Sequence, residues 1–160
     1  LGDMPVNALR RNVLKGAGGA SVVTVAVMAG LLKPGMALAD WNKAGFDAKD
    51  LNGALASIGG GGAAASGDIS VKAPDIAENG AVVPVEITSN IAGTEGIAIV
   101  GEKNALPLIA DFKMMNGAQG YVSTRIKMGT TSNVTAIVKA GGKVYKASKE
   151  VKVTIGGCGG

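Results

Sequence analysis

From residue 68 onward, hydrophobic side chains recur at every second position, the period of a strand with one buried face. Ile69, Val71 and Ala73 alternate with polar neighbours, and residues 74–80 then carry the proline, asparagine and glycine of a turn. Ala81, Val83, Val85 and Ile87 lie opposite Glu86 and Thr88. Pro84 within this run places it at a sheet edge or a bulge, because proline has no N–H to give to a ladder. Ile97 and Ile99 open a short strand that ends at Gly101. Leu106, Leu108, Ala110, Phe112 and Met114 alternate against Asp111 and Lys113. Val122, Thr124, Ile126 and Met128 form a fifth run, and Val134, Ala136 and Val138 a sixth. Tyr145, Ala147, Val151, Val153 and Ile155 share one parity in a last strand. Asn116-Gly117 is a turn signal and Gly141-Gly142 a hairpin signal. Each run has an apolar and a polar face, the antiparallel pattern. The pattern predicts an all-β, immunoglobulin-like antiparallel β-sandwich of about seven strands over residues 68–155. A small barrel shares the same periodicity. No helical pattern alternates with the strands, which argues against an α/β fold.

Upstream the period is different. Leu51, Ala54, Leu55 and Ile58 fall at the i, i+3, i+4, i+7 positions of an amphipathic helix. Asp47 or Asp50 stands where an N-cap belongs, and Gly59-Gly60-Gly61-Gly62 ends the pattern. A helix this short is not stable alone, so Leu51, Leu55 and Ile58 must pack on the following domain or on a partner. Residues 59–67 are rich in Gly, Ala and Ser and read as a flexible connector.

Residues 1–39 read as an address rather than a fold. Arg10-Arg11 leads into residues 16–32, which carry no charge, and Ala37-Leu38-Ala39 closes the segment. This is the layout of a cleaved export signal, and the paired arginines mark the twin-arginine kind. The expected mature start is Asp40, and the expected location is the periplasm. A membrane anchor is the competing reading. The uncharged run is 17 residues long, at the short limit of about 17–25 for a spanning helix. Glycines dilute it and Ala-x-Ala follows at once. Met4, after Leu1-Gly2-Asp3, is a candidate translation start.

Composition removes several kinds of chemistry. The 160 residues include no histidine and one cysteine. Neither a Ser-His-Asp triad, a Cys-His pair, a Cys/His zinc site nor an internal disulfide can be built from them. Five aromatic residues among 160 leave an aliphatic core. The basic balance belongs to the address segment. Residues 40–160 hold 12 basic and 11 acidic residues, so a net charge of +4 falls to +1. No basic stripe with interleaved aromatics is present, and nucleic acid is not an expected partner. After cleavage no stable membrane association is expected, and no cofactor or metal site is indicated.

The single cysteine lies in Gly156-Gly157-Cys158-Gly159-Gly160, directly after the last strand pattern. Glycine samples both signs of φ and adds nothing to pack, so the segment reads as a tether that presents one thiol. Three residues span up to ~10 Å beyond Ile155. A free thiol has a pKa of about 8.5, so only about 3% is thiolate at pH 7. No neighbouring charge closer in sequence than Lys152 is present to lower it. The chain therefore does not activate its own nucleophile as a catalytic cysteine site does. The inference is a non-catalytic carrier whose substrate rides on Cys158 and is presented to separate enzymes.

The run from Val151 through Ile155 into Gly156-Gly157-Cys158-Gly159-Gly160 resembles the C-terminus of the SoxY family, the carriers of the bacterial thiosulfate-oxidising Sox system. Ala73-Pro74-Asp75-Ile76-Ala77-Glu78-Asn79-Gly80 with Val83-Pro84-Val85, and Gly101-Glu102-Lys103-Asn104, resemble the family's early turn and middle loop. A proline often follows the Lys-Asn pair soon in this family. Here Ala105-Leu106 intervene before Pro107. The resemblance implies a heterodimer with SoxZ, a β-sandwich protein co-exported without its own signal. It implies transient docking with SoxAX, a haem c enzyme that joins thiosulfate to the cysteine, with SoxB, which releases sulfate, and with a sulfane dehydrogenase where one is present. It implies that Cys158 is the covalent attachment site and that Gly156, Gly157, Gly159 and Gly160 form its swinging arm.

Three other readings compete. A ubiquitin-like sulfur carrier also ends in Gly-Gly, but such carriers are cytoplasmic and fold a helix into a β-grasp sheet. A structural or interaction module of the periplasm would use the terminal cysteine only for intermolecular disulfides. A carboxylate enzyme would need paired acids, whereas Glu78, Glu86, Glu95, Glu102 and Asp111 are scattered and read as solvated residues. Lys143, Lys146, Lys149 and Lys152 read as a solvated, edge-protecting strand face, with docking of acidic partners as the functional alternative. Met114 and Met115 read as core or interface filler.

Overall fold

The change of hydrophobic period near residue 60 is a change from helix to sheet. The structure, a computed structural model, describes residues 41–154. The expected export signal with its cleavage site after Ala39, the expected end of the last strand at Ile155, and the expected Cys158 arm lie outside the described residues.

A short helix that the pattern did not announce, α1 (Lys43–Phe46), precedes the expected one, α2 (Leu51–Ser57). Asp50, not Asp47, caps α2. Its carboxylate accepts from the Gly53 N–H at 2.8 Å, which satisfies one of the donors that a helix start leaves open. Asp50→Ala should therefore lower stability by about 1 kcal/mol, read as a shift of the urea midpoint at unchanged slope. Asp47 sits at the other end of α1, as its C-cap. A 3-10 turn, Gly60–Gly62, follows.

Among the described residues nine strands come next: β1 (Ala64–Ala65), β2 (Ile69–Lys72), β3 (Ile76–Ala77), β4 (Val83–Ser89), β5 (Thr94–Gly101), β6 (Leu108–Lys113), β7 (Tyr121–Ile126), β8 (Ser132–Ala140) and β9 (Lys143–Val153). They form a three-stranded sheet in the order β2-β4-β7 and a six-stranded sheet in the order β1-β9-β8-β5-β6, with β3 also on β9. The seven long pattern segments are all strands. The two additional strands, β1 and β3, are two-residue pieces that pair parallel to β9, so the sheets are not purely antiparallel. The stretch read as a flexible connector holds the 3-10 turn and β1. Its Ala64 pairs with Tyr145, and the Ser66 N–H donates to the Lys146 carbonyl at 3.0 Å.

The sheets pack face to face in a sandwich-like arrangement. Val83, Val85 and Ile87 of β4 and Val122 and Ile126 of β7 meet Ile97 and Ile99 of β5, Val134, Ala136 and Val138 of β8, and Val151 of β9. A second cluster lies on the outer face of the larger sheet. Ala54 and Ile58 pack on Ala98, Val100, Leu108 and Ile137, with Leu51 and Leu55 at the margin. The helix thus covers its own domain, one of the two options its apolar face allowed. In consequence β5 and β8 are buried on both faces, and the expectation of one polar face per strand fails for them. The unbroken apolar run Ile97-Ala98-Ile99-Val100 is the signature of such a strand.

A bulge corrects the reading of β6. Ile99 pairs with Ala110 but Val100 pairs with Leu108, so Ile109 is an extra residue. An extra residue reverses the side-chain parity. Ala110 and Phe112 pack on the inter-sheet core, whereas Leu108 packs under the helix. Leu106, read as part of the strand's inward face, lies before the strand and is exposed. Pro84 pairs with Arg125 of β7 on one side, while β2 ends opposite Glu86, so no strand adjoins the proline on the other side. Asn116-Gly117 and Gly141-Gly142 have the positive φ angles that tight turns require: 54°, 72°, 55° and 73°.

Candidate functional site

The described chain stops at Thr154, just past β9 and four residues before Cys158. What can be built is the root from which those residues leave, and it is held from both sides. On one side the N–H groups of Lys152 and Thr154 donate to the carbonyls of Asp75 (3.0 Å) and Ala77 (3.1 Å) along β3. On the other, β8 extends no further, since its first residue, Ser132, pairs with Val151. Thr131 continues the ladder with its side chain. Its hydroxyl accepts from the Val153 N–H at 2.9 Å and lies 3.5 Å from the Val153 carbonyl oxygen. The Thr154 hydroxyl donates to the Glu78 carbonyl at 3.2 Å. Val151 is fully buried and Val153 packs on the same core. Replacing Thr131 by the isosteric valine should leave the Val153 amide without its partner. Its hydrogen exchange should accelerate relative to Val151, with a stability loss of about 1 kcal/mol.

The four lysines of β9 do not share a face. Tyr145, Ala147, Val151 and Val153 point at the core, and a strand alternates its side chains. Lys149 has their parity, whereas Lys146 and Lys152 have the opposite one. The Lys149 ammonium reaches across to β3, donating to the Ala73 carbonyl at 2.6 Å and pairing with the Asp75 carboxylate at 3.0 Å. It fastens the chain before β3 to β9, a structural task that its spacing from the other lysines did not reveal. The reading of all four as one solvated face is corrected accordingly.

The loops around the root are tied to one another. The Met128 N–H donates to the Gly80 carbonyl at 2.7 Å. The Asn104 amide donates to the Lys127 carbonyl at 2.7 Å and accepts from the Gly129 N–H at 3.1 Å. Beside this clip lies an apolar groove lined by Ala105, Leu106 and Ile109, with Asn104, Lys127 and Gly129 at its margin. Glu102 is not merely solvated. Its carboxylate accepts from Asn133 Nδ2 at 3.0 Å and Thr135 Oγ1 at 2.8 Å. The other acids stay apart on β4 (Glu86), β5 (Glu95), β6 (Asp111) and the β3–β4 loop (Glu78). Among the described residues no group of three His, Cys, Asp or Glu side chains gathers at metal-binding distances. Met114 packs on the core, and Met115 is exposed.

Sequence reasoning singled out Cys158 and its flanking Gly156, Gly157, Gly159 and Gly160, all of which lie outside the described residues. It missed Thr131 and the Asp75–Glu78 carbonyls as the fixings of the root. A two-residue strand has no periodicity to find, and a threonine side chain that substitutes for backbone has no sequence signal.

Comparisons with known proteins bear on the whole of this region. The family model for sulfur oxidation protein SoxY matches residues 55–158, from α2 through both sheets to the cysteine. Among solved structures, the sulfur carrier protein SoxY from Chlorobium limicola f thiosulfatophilum is 41% identical, with a TM-score of 0.56. The match covers 63% of this chain and 94% of that one. A superoxide reductase (neelaredoxin) from Ignicoccus hospitalis is 16% identical over 53% of this chain and 79% of its own, with a TM-score of 0.45, too distant to carry an argument. No curated protein matches the sequence. The family match spans well over half of the chain, and the chain belongs to the SoxY family of sulfur oxidation proteins.

Proposed function

We propose that this chain is a periplasmic covalent sulfur carrier that binds thiosulfate-derived intermediates on Cys158 and presents them to separate enzymes. The observation that carries the reading is the family match running to residue 158, the chain's one cysteine, beyond a root fixed on both sides. Its solved relative being a sulfur carrier protein supports it further.

In the first step the Cys158 thiol loses a proton and bonds to the outer sulfur of thiosulfate. The product is a Cys–S–S–SO3⁻ adduct, and two electrons leave to a haem c enzyme of the SoxAX kind. In the second, water attacks the sulfonate sulfur in an enzyme of the SoxB kind. Sulfate departs and a persulfide stays on Cys158. A sulfane dehydrogenase, where present, oxidises the remaining sulfur. This chain's part is to hold the cargo and to move it. Gly156, Gly157, Gly159 and Gly160 act as the joints of the arm, and activation of the thiol belongs to the pocket the arm enters. Export is by the twin-arginine route, with cleavage after Ala39, and SoxZ is the expected heterodimer partner. The strand order, β2-β4-β7 against β9-β8-β5-β6, supports an immunoglobulin-like topology for the sandwich.

Intact-mass measurement of exported protein from cells grown on thiosulfate tests the proposal. Reductant-labile additions of sulfur and sulfonate should appear on the C-terminal peptide. An unmodified thiol during active sulfur oxidation, or only a disulfide-linked dimer, would overturn it.

A further inference from the structure

Where α2 and the 3-10 turn lie on the outer face of the larger sheet, a small cleft is left between them and the strands. Leu51 and Leu55 of α2 and the Gly60-Gly61 turn line it from above. Ile137 of β8 pairs with Lys146 of β9, and on the next rung of the same face Thr135 pairs with Ser148. These four residues line the cleft from below, and Glu102, just past β5, lines it as well. The cleft encloses about 120 Å³, about four waters' worth. That is well under the roughly 300–1,000 Å³ of a pocket for a drug-sized ligand.

The polar groups of the cleft are fixed and directional. The Glu102 N–H donates to the Asn133 carbonyl at 3.2 Å, and its carboxylate is held at both oxygens, by Asn133 Nδ2 and Thr135 Oγ1. An ionised carboxylate only accepts, so the proton of the buried Thr135 hydroxyl is committed to Glu102. Ser148 Oγ lies 2.7 Å from Thr135 Oγ1, and it must therefore be the donor of that bond. The relay from Ser148 through Thr135 to Glu102 leaves lone pairs, and no proton, on the Ser148 oxygen. This end of the cleft is all acceptor. The Lys146 ammonium only donates, and its residue stands about 7 Å from Ser148 along β9. The two charges do not neutralise each other. Among the described residues the ion pairs are Lys43 with Asp47 and Lys149 with Asp75. A half-buried carboxylate with neutral partners and no counter-charge is costly to keep, and the sandwich itself makes no use of its charge.

We propose that this cleft binds a small zwitterion, an α-amino acid with a short apolar side chain. Its ammonium meets the Glu102 carboxylate and the Ser148 oxygen, its carboxylate meets Lys146, and its side chain lies on Leu51 and Leu55. Both charges are needed for the match. A lone cation leaves Lys146 without a counter-charge, and a lone anion faces Glu102. A bound molecule bridges α2 and the glycine turn to β8 and β9, so occupancy raises the stability of the sandwich by linkage. The site stands apart from Cys158 and does not depend on the carrier reading.

The test is a titration of the full chain, labelled with nitrogen-15, with L-alanine at low salt. Saturable amide shifts should concentrate on Gly60, Gly61, Thr135 and Ser148. Methylammonium and acetate, each carrying one of the two charges, should bind about tenfold more weakly or worse. L-Tryptophan should not bind, being too large for the cleft. Lys146→Met keeps the apolar stem and removes the charge, and it should weaken L-alanine about tenfold or more. Lys146→Arg should recover most of that loss. Glu102→Gln should weaken binding to the same degree. It also disturbs the bonds to Asn133 and Thr135, so its fold is checked by its thermal midpoint. Lys146 is an exposed side chain, and its variants carry the test if Glu102→Gln does not fold. Lys143→Met, exposed at the start of β9, should leave the affinity unchanged, as should Cys158→Ser. Absence of a saturable shift at the cleft amides would overturn the proposal. Equal affinity for methylammonium and L-alanine would overturn it as well, leaving a plain cation site, and so would an equal loss in Lys143→Met.

Discussion

Cys158→Ser should abolish sulfur uptake while leaving the fold intact. The chain has no second thiol and no histidine to substitute for it. A serine hydroxyl cannot form the sulfur–sulfur bond on which loading depends, so thiosulfate-derived additions should be absent from the intact mass rather than reduced. Residue 158 lies beyond the described sandwich, whose clusters of buried side chains comprise residues from Ala54 to Val151. A thermal midpoint within about 1 °C of wild type would show that the loss of uptake is chemical rather than structural. Thiosulfate-dependent electron transfer to the haem c enzyme should fall to its carrier-free background. A variant that still gains sulfonate would place the attachment elsewhere and end the carrier assignment of this residue.

Ile99→Ala should have the largest effect on stability. Ile99 is 0% exposed. It sits on β5 between β8 and β6, with neighbours on both sides in its own sheet and the other sheet facing it. Removing three buried carbons costs their transfer free energy and leaves a cavity that rigid neighbours fill poorly, about 3–5 kcal/mol in all. Against a total of about 5–15 kcal/mol for a domain, that is enough to populate unfolded chain at growth temperature. Urea denaturation should show a lower midpoint at unchanged slope. A loss below about 1 kcal/mol would mean that the sheets close over the site and that packing here is looser than described. Under the proposed twin-arginine export, which would carry the chain already folded, the same variant should accumulate less in the exported fraction.

Strand periodicity made most of the sandwich readable. Val83-Val85-Ile87 and Val134-Ala136-Val138 alternate strictly, and both runs face the core. Reading broke down where a residue answers to something outside its own strand. Ala98, Val100 and Ile137 are buried because a helix from earlier in the chain covers them, and alternation alone predicts a solvated face there. Ile109 is a bulge that reverses the parity of β6, so Leu108 lies on the opposite face from its expected companion Ala110. β1 and β3 are too short to show a period, and they exist because β9 offers an open edge to pair with. The candidate site divides in the same way. Composition made Cys158 visible at once, being unique and framed by glycine. The fixings at Thr131 and at residues 75–78 depend on contacts across as many as 76 positions of sequence.

The two-sided root has a consequence for local concentration. Val153 and Thr154 are bonded to Thr131 and to Ala77 and Glu78, so the point of departure is fixed. The volume open to the thiol is limited to what four residues can reach from there. A group confined in this way has an effective concentration of millimolar order or above toward any site within reach. On the proposed carrier role, delivery of the thiol to a bound enzyme is an intramolecular event. Its rate no longer depends on how much carrier the compartment contains. Turnover at low carrier abundance is then governed by how long the two bodies stay together, and loosening the root should dilute the cargo without altering its chemistry.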